Sequence, residues 1–256
     1  MYSFARLIFM LILGNGILLA GCSFNSDKSI VIFAPSSMMN ALNEVSSSSG
    51  STFDDVLISY GGSGFLANQI VRGAKPDIFI AAGSDPIIVL DRNQTNYQSS
   101  RFNLISNRLA IVGKKNQYKI SDHSSLNNKA IRRIAVTDPR FAPSGLYAQQ
   151  FFDYYQLQPF LKDRLIYGMN VRDTLQYVIS GNADVGIVYK TDVINADLEL
   201  LYLIPEESHL PIRYPVSILD TSSKKYSVKK MIEVFKSKQS SKIFSKYGFI
   251  VSEDFN

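Results

Sequence analysis

The chain has 256 residues, 46% hydrophobic and 19% charged, with a mean hydropathy of +0.01. These proportions exclude a wholly disordered, collagen-like or low-complexity protein, and the length suits two α/β units of roughly 100–150 residues each. One cysteine and two histidines exclude an internal disulfide framework and a Cys-rich zinc site, and leave little for His-based metal or triad chemistry. A formal charge of +5 and a pI of 9.1 favour anions in general but are too weak to specify nucleic acid.

Arg6 precedes an apolar run at 7–13, which Ile17, Leu18 and Leu19 extend after Gly14-Asn15-Gly16. The run is too short and interrupted for a transmembrane helix and reads as an export signal. Leu19-Ala20-Gly21-Cys22 follows directly. It resembles the bacterial lipobox, whose small residues fit the signal peptidase and whose cysteine thiol is acylated. The bland alternative is a signal peptide with a chance cysteine. On the lipobox reading 1–21 is the signal peptide, the mature chain begins at the lipidated Cys22, and 22–28 is a polar tether. No free thiol remains, which suits an oxidising compartment. The protein is then exported and lipid-anchored to the cell membrane, on its periplasmic or extracytoplasmic face.

Beyond the tether, short apolar runs predict strands at 30–33, 56–60, 77–81, 109–113, 134–137, 185–189, 200–204 and 215–219. Amphipathic stretches between them predict helices at 38–45, 65–71, 86–92, 146–157, 171–179 and 228–236. Such alternation argues for an α/β fold with mostly parallel sheets flanked by helices. Val228, Met231, Ile232 and Phe235 form one buried stripe, so the interleaved Lys229, Lys230, Lys236 and Lys238 face water rather than nucleic acid.

The strand ends carry the chemical signal. The first strand runs into Ala34-Pro35-Ser36-Ser37, the second into Gly61-Gly62-Ser63-Gly64, and the segment after Asp138 leads to Ser144-Gly145. Asn170 before Val171-Arg172-Asp173 reads as an N-cap close to a capping box. A helix N-terminus offers unpaired N–H groups and partial positive charge, and Ser and Gly complete an anion cradle. Each serine alone is equally a plain N-cap. Gly61–Gly64 lacks the Lys-Ser/Thr ending of a phosphate loop, and Ser63 misses the nucleophile-elbow pattern by one position. His123 and His209 read as solvated loop residues, and no metal constellation is present in the sequence.

Phe33-Ala34-Pro35-Ser36-Ser37, Gly73-Ala74 with Pro76-Asp77-Ile78, Pro143-Ser144-Gly145-Leu146-Tyr147-Ala148, Val171-Arg172, Gly186-Ile187-Val188-Tyr189 and Tyr214-Pro215-Val216 occur in one order. In that order they resemble the molybdate-binding proteins of bacterial ABC importers over essentially the whole mature chain. The resemblance implies a two-lobed periplasmic binding protein-like fold (type II) with the ligand in the interlobe cleft. Lobe one would hold 29–107 and 214–256, lobe two 108–213, with crossings near 107–109 and 209–214.

It further implies that Ser37 and Ser63 offer hydroxyl and N–H groups, Ser144 and Val171 their N–H groups, and Tyr189 its phenolic O–H. The ligand would be molybdate or tungstate; the partners would be the ABC permease and ATPase, and the protein a monomer. No cofactor or free metal cation and no catalytic residue is implied. Ser144 stands where the family often has alanine, and Pro35-Ser36 replaces smaller residues, which bears on whether Ser36 or Ser37 points inward. Five neutral donors without a cation would let cavity size sort oxyanions of equal charge. Sulfate, phosphate or an organic anion on the same fold, a serine hydrolase using Ser37 or Ser63, and a lipid-anchored adhesion protein are the other readings.

Overall fold

The computed structural model describes residues 29–93, 97–194, 196–219 and 225–251. The export signal, the lipobox with Cys22 and the tether lie outside them.

Chain order begins with β1 (Ile30–Pro35), a 3-10 turn (Ser36–Met38), α1 (Met39–Ser48), β2 (Val56–Gly61), α2 (Ser63–Val71), β3 (Ile78–Ile80), α3 (Asp85–Arg92) and β4 (Tyr97–Ser106). There follow β5 (Leu109–Gly113), β6 (Ile134–Thr137), α4 (Pro143–Tyr154), α5 (Gln158–Leu161), β7 (Leu165–Gly168), α6 (Val171–Ile179), β8 (Val185–Tyr189), α7 (Lys190–Val193) and β9 (Glu199–Leu203). The chain closes with β10 (Arg213–Leu219), α8 (Lys225–Phe235), α9 (Lys238–Lys246) and β11 (Ile250–Val251).

These strands form two sheets, ordered β11-β4-β10-β3-β1-β2 and β7-β6-β8-β5-β9. The expected parallel character holds on one side of each sheet, where β1 pairs with β2 and β3, and β6 with β7 and β8. It ends where a strand enters antiparallel: β10 against β3, and β5 against β8. Both sheets are therefore mixed rather than mostly parallel. A parallel pair needs a crossover helix between its strands, whereas β5 and β10 are reached by other routes and run opposite to the parallel strands beside them.

All eight expected strands are present, β9 one residue earlier than anticipated. β4, β7 and β11 are additional. β7 is an edge strand of four residues behind Lys162-Asp163-Arg164, with Tyr167 exposed, so no sustained apolar run marks it.

Burial follows the pattern that sequence periodicity demands. Ile30, Ile32, Phe33 and Ala34 of β1 are buried, as are Tyr147, Ala148, Phe151 and Phe152 along α4. Each such large side chain contributes ~1.5–3 kcal/mol relative to exposure. On α8, Val228, Met231 and Phe235 are buried and Lys229 and Lys230 face solvent. Lys236 instead lies over the Phe102 ring, 3.9 Å from its centroid. Among the described residues no helix is long and apolar enough to cross a membrane.

Candidate functional site

The turn after β1 buries both Ser36 and Ser37. After β2, Gly62 holds extended backbone (φ −66°, ψ 130°) and α2 opens on the buried Ser63. A Cβ at Gly62 would stand 2.6 Å from the Phe141 carbonyl oxygen and 2.9 Å from that of Met169, so only glycine permits this approach of the two halves.

Two further helix N-termini face these turns. The Asp138 carboxylate accepts from the Arg140 backbone N–H (2.9 Å) and guanidinium, which holds its pKa below the usual carboxylate range. The Asp138 carbonyl accepts from Phe141 and Ala142 N–H, so this turn delivers Pro143 and Ser144 as the first residues of α4. At α6 the Asn170 side chain accepts from Arg172 N–H (2.9 Å) and Asp173 N–H (3.2 Å), the expected N-cap. The box is half-formed, because the Asp173 carboxylate accepts from the Asn170 side-chain amide rather than from the cap backbone. At α7 the reciprocal half of a capping box is formed, where Tyr189 N–H donates to Asp192 Oδ2 at 3.0 Å.

Ser36, Ser37, Ser63, Ser144, Val171 and Tyr189 line one cavity of about 10 Å³, together with Ala82 and the Gly61-Gly62 turn. The five candidate ligand residues, spread over more than 150 positions of sequence, thus meet at one point. No Lys, Arg, Asp, Glu or His lines it. Ser63 Oγ accepts from Ala82 N–H (3.0 Å), leaving its own proton available, and the Tyr189 phenol donates to the Ala82 carbonyl (3.2 Å). Ser37 Oγ lies 3.0 Å from the Tyr214 hydroxyl, while Ser36 Oγ lies 3.4 Å from Asn170 Oδ1. Burial pushes the Tyr189 and Tyr214 phenols well up, so both keep their protons at neutral pH.

Sequence reading assigned no part to Asn107 and Tyr214 at the site. Asn107 Nδ2 donates to Tyr214 OH (3.1 Å) and to Thr191 Oγ1 (2.9 Å), joining the two crossing segments behind Ser37. A buried Asn between apolar strands was the available signal.

The two halves are drawn together. Phe65 N–H donates to the Phe141 carbonyl (3.0 Å), and Arg172 reaches from α6 to the Ser36 carbonyl (2.9 Å) and Asn40 Oδ1 (2.9 Å). Beside this contact lies a second cavity of about 170 Å³ that Arg172, Asp192 and Tyr247 help to line.

One expectation about the histidines is corrected. His209 is buried, not solvated: the turn at Glu206–Ser208 sets its ring 5.6 Å from Tyr147, and Nδ1–H donates to the Leu210 carbonyl at 2.8 Å. Desolvation lowers its pKa. His123 is half-buried and stacks on Tyr155. Neither lines the serine cavity. Among the described residues no His/Cys/Asp/Glu group is placed to hold a metal ion.

Two mixed sheets joined by two crossings, with a small polar cavity between helix N-termini, define the periplasmic binding protein-like fold. The periplasmic molybdate-binding protein of Azotobacter vinelandii shares it, with a TM-score of 0.80 at 22% identity over 88% of this chain and 100% of that one. The chain belongs to the bacterial extracellular solute-binding protein family, whose profile matches residues 30–250. Its relatives include YvgL of Bacillus subtilis, named for the substrate-binding lipoprotein of an ABC transporter, 31% identical over 94% of this chain and 96% of that protein. The molybdate-binding protein ModA of Haemophilus influenzae is 29% identical over 90% and 92%.

Proposed function

We propose that the chain is a lipid-anchored receptor that captures molybdate, and equally tungstate, and hands it to the permease and ATPase of an ABC importer. The observation that carries this reading is the convergence of Ser37, Ser63, Ser144, Val171 and Tyr189 on one cavity without a charged side chain. N–H groups in the first turn of a helix lack intrahelical partners, so those of Ser63, Ser144 and Val171 suit a buried dianion. Each bond to a charged oxygen contributes ~1.5–3 kcal/mol net. The names of the ModA relatives supply the ion, and that of YvgL supports the anchor at Cys22. The receptor acts as a monomer, needs no cofactor and performs no reaction on its ligand.

A cavity of about 10 Å³ accommodates about one water-sized probe, so entry requires residues 29–107 with 214–256 to part from 108–213. Closure around the ion then completes the donor set and presents a closed shape to the permease.

Thermal unfolding with molybdate, tungstate, sulfate and phosphate tests the reading. A ligand at ~100 times its Kd adds ~2.7 kcal/mol and raises Tm by about 5–10 °C for a chain of this size. Shifts with molybdate and tungstate alone are expected; no shift with any oxyanion rejects the receptor. For the anchor, the full chain expressed in bacteria should partition into a detergent phase and C22A should not; equal partition of the two rejects it.

A further inference from the structure

Ser144 holds a polar group that the protein itself does not use. Its side chain is 1% exposed and sits at the second position of α4, lining the serine cavity. Its Oγ is buried without a hydrogen bond of good geometry. The Tyr189 phenol lies close enough for the Ser144 hydroxyl to ease its ionisation. The phenol gives its proton to the Ala82 carbonyl at 3.2 Å, so it faces Ser144 with its oxygen alone, an acceptor to which no bond of good geometry forms.

A buried hydroxyl without a partner destabilises the fold, and alanine at this position would keep the helix and its free N–H while removing the cost. The hydroxyl therefore gains a well-formed bond when an acceptor better placed than the Tyr189 oxygen enters the cavity. An oxyanion oxygen is such an acceptor, and the α4 N-terminus already directs the Ser144 backbone N–H to the same place.

Resting on the receptor reading above, we infer that Ser144 contacts the bound oxyanion twice, through its backbone N–H and through its side-chain O–H, the latter being a donor additional to the five-residue set. The O–H bond lies unused in the empty cleft and turns to a ligand oxygen on closure.

The test compares the full chain in detergent with S144A, each by calorimetric titration with molybdate and by melting without ligand. S144A is expected to bind molybdate ~10-fold or more weakly, the loss typical of one bond to a charged group, while the empty variant melts no lower than the parent. Those two opposite effects separate a ligand donor from a structural hydroxyl. A Kd within twofold of the parent overturns the inference, as does a lower Tm of the empty variant. If the parent binds no oxyanion at all, the receptor reading has failed first, and this inference with it.

Discussion

Asp192 is held between two opposed forces. Burial favours its neutral form and pushes its pKa to about 7, while the Tyr189 N–H bond and the nearby Arg172 charge pull the other way without prevailing. A carboxyl raised from 3.8 to about 7 binds its proton more tightly folded than unfolded. Its stabilising contribution is complete below the unfolded value and is lost as pH rises toward the folded one. Asp138, Asp184 and Asp91 have lowered values and act in the opposite sense. The difference between parent and D192N isolates Asp192: the urea midpoint of the parent should fall relative to D192N between pH 4 and 7. Parallel pH profiles would contradict the shift.

At the level of elements, the strands that could be read from the sequence carry sustained apolar or β-branched runs, the partly covered β2 and β9 included. β1, β5 and β8 are apolar throughout, and β6 is apolar up to Thr137, because sheet neighbours and helices cover them, and such runs identify themselves. β4 and β7 mix polar and apolar residues, and β11 is two residues long, so their pairing is decided by partners distant in sequence. The helix starts were legible through Ser, Asn and Pro at strand exits, and the residues gathered at the cavity came from that signal together with family likeness. Which serine hydroxyl is tied back and by what was not legible. Tyr214 lies 177 positions from Ser37, and His209 follows polar residues yet is buried by a turn that folds it under α4. The antiparallel half of each sheet was hidden for the same reason, since strand direction depends on the route of the chain between lobes.

For the molecule as a whole, the proposed opening and closing of the two halves would turn on few contacts. Arg172 bridges α6 to the first serine turn and to Asn40 of α1 with one bond of 2.9 Å each, and both need the two halves in contact. R172A should enlarge the radius of gyration of the ligand-free protein in X-ray scattering and weaken oxyanion binding about 5- to 10-fold, as expected when a bond to a charged group of ~1.5 kcal/mol or slightly less is lost. R172K should restore little, because an ammonium lacks the fork that serves two acceptors. An unchanged radius and Kd would show that Arg172 does not govern closure.

The tie between Ser37 and Tyr214 has a bearing on the order of events during capture. Ser37, Ser63, Ala82 and Tyr214 all lie in the half built on β1, β2, β3 and β10, so the bonds that aim the two serines survive when the cleft gapes. The Tyr189 phenol belongs to the other half and leans on Ala82 only in the shut form. On the receptor reading, an arriving anion would find the two serines already aimed in one half, and the Tyr189 phenol would join them only as the halves shut, where it must choose between the Ala82 carbonyl and a ligand oxygen.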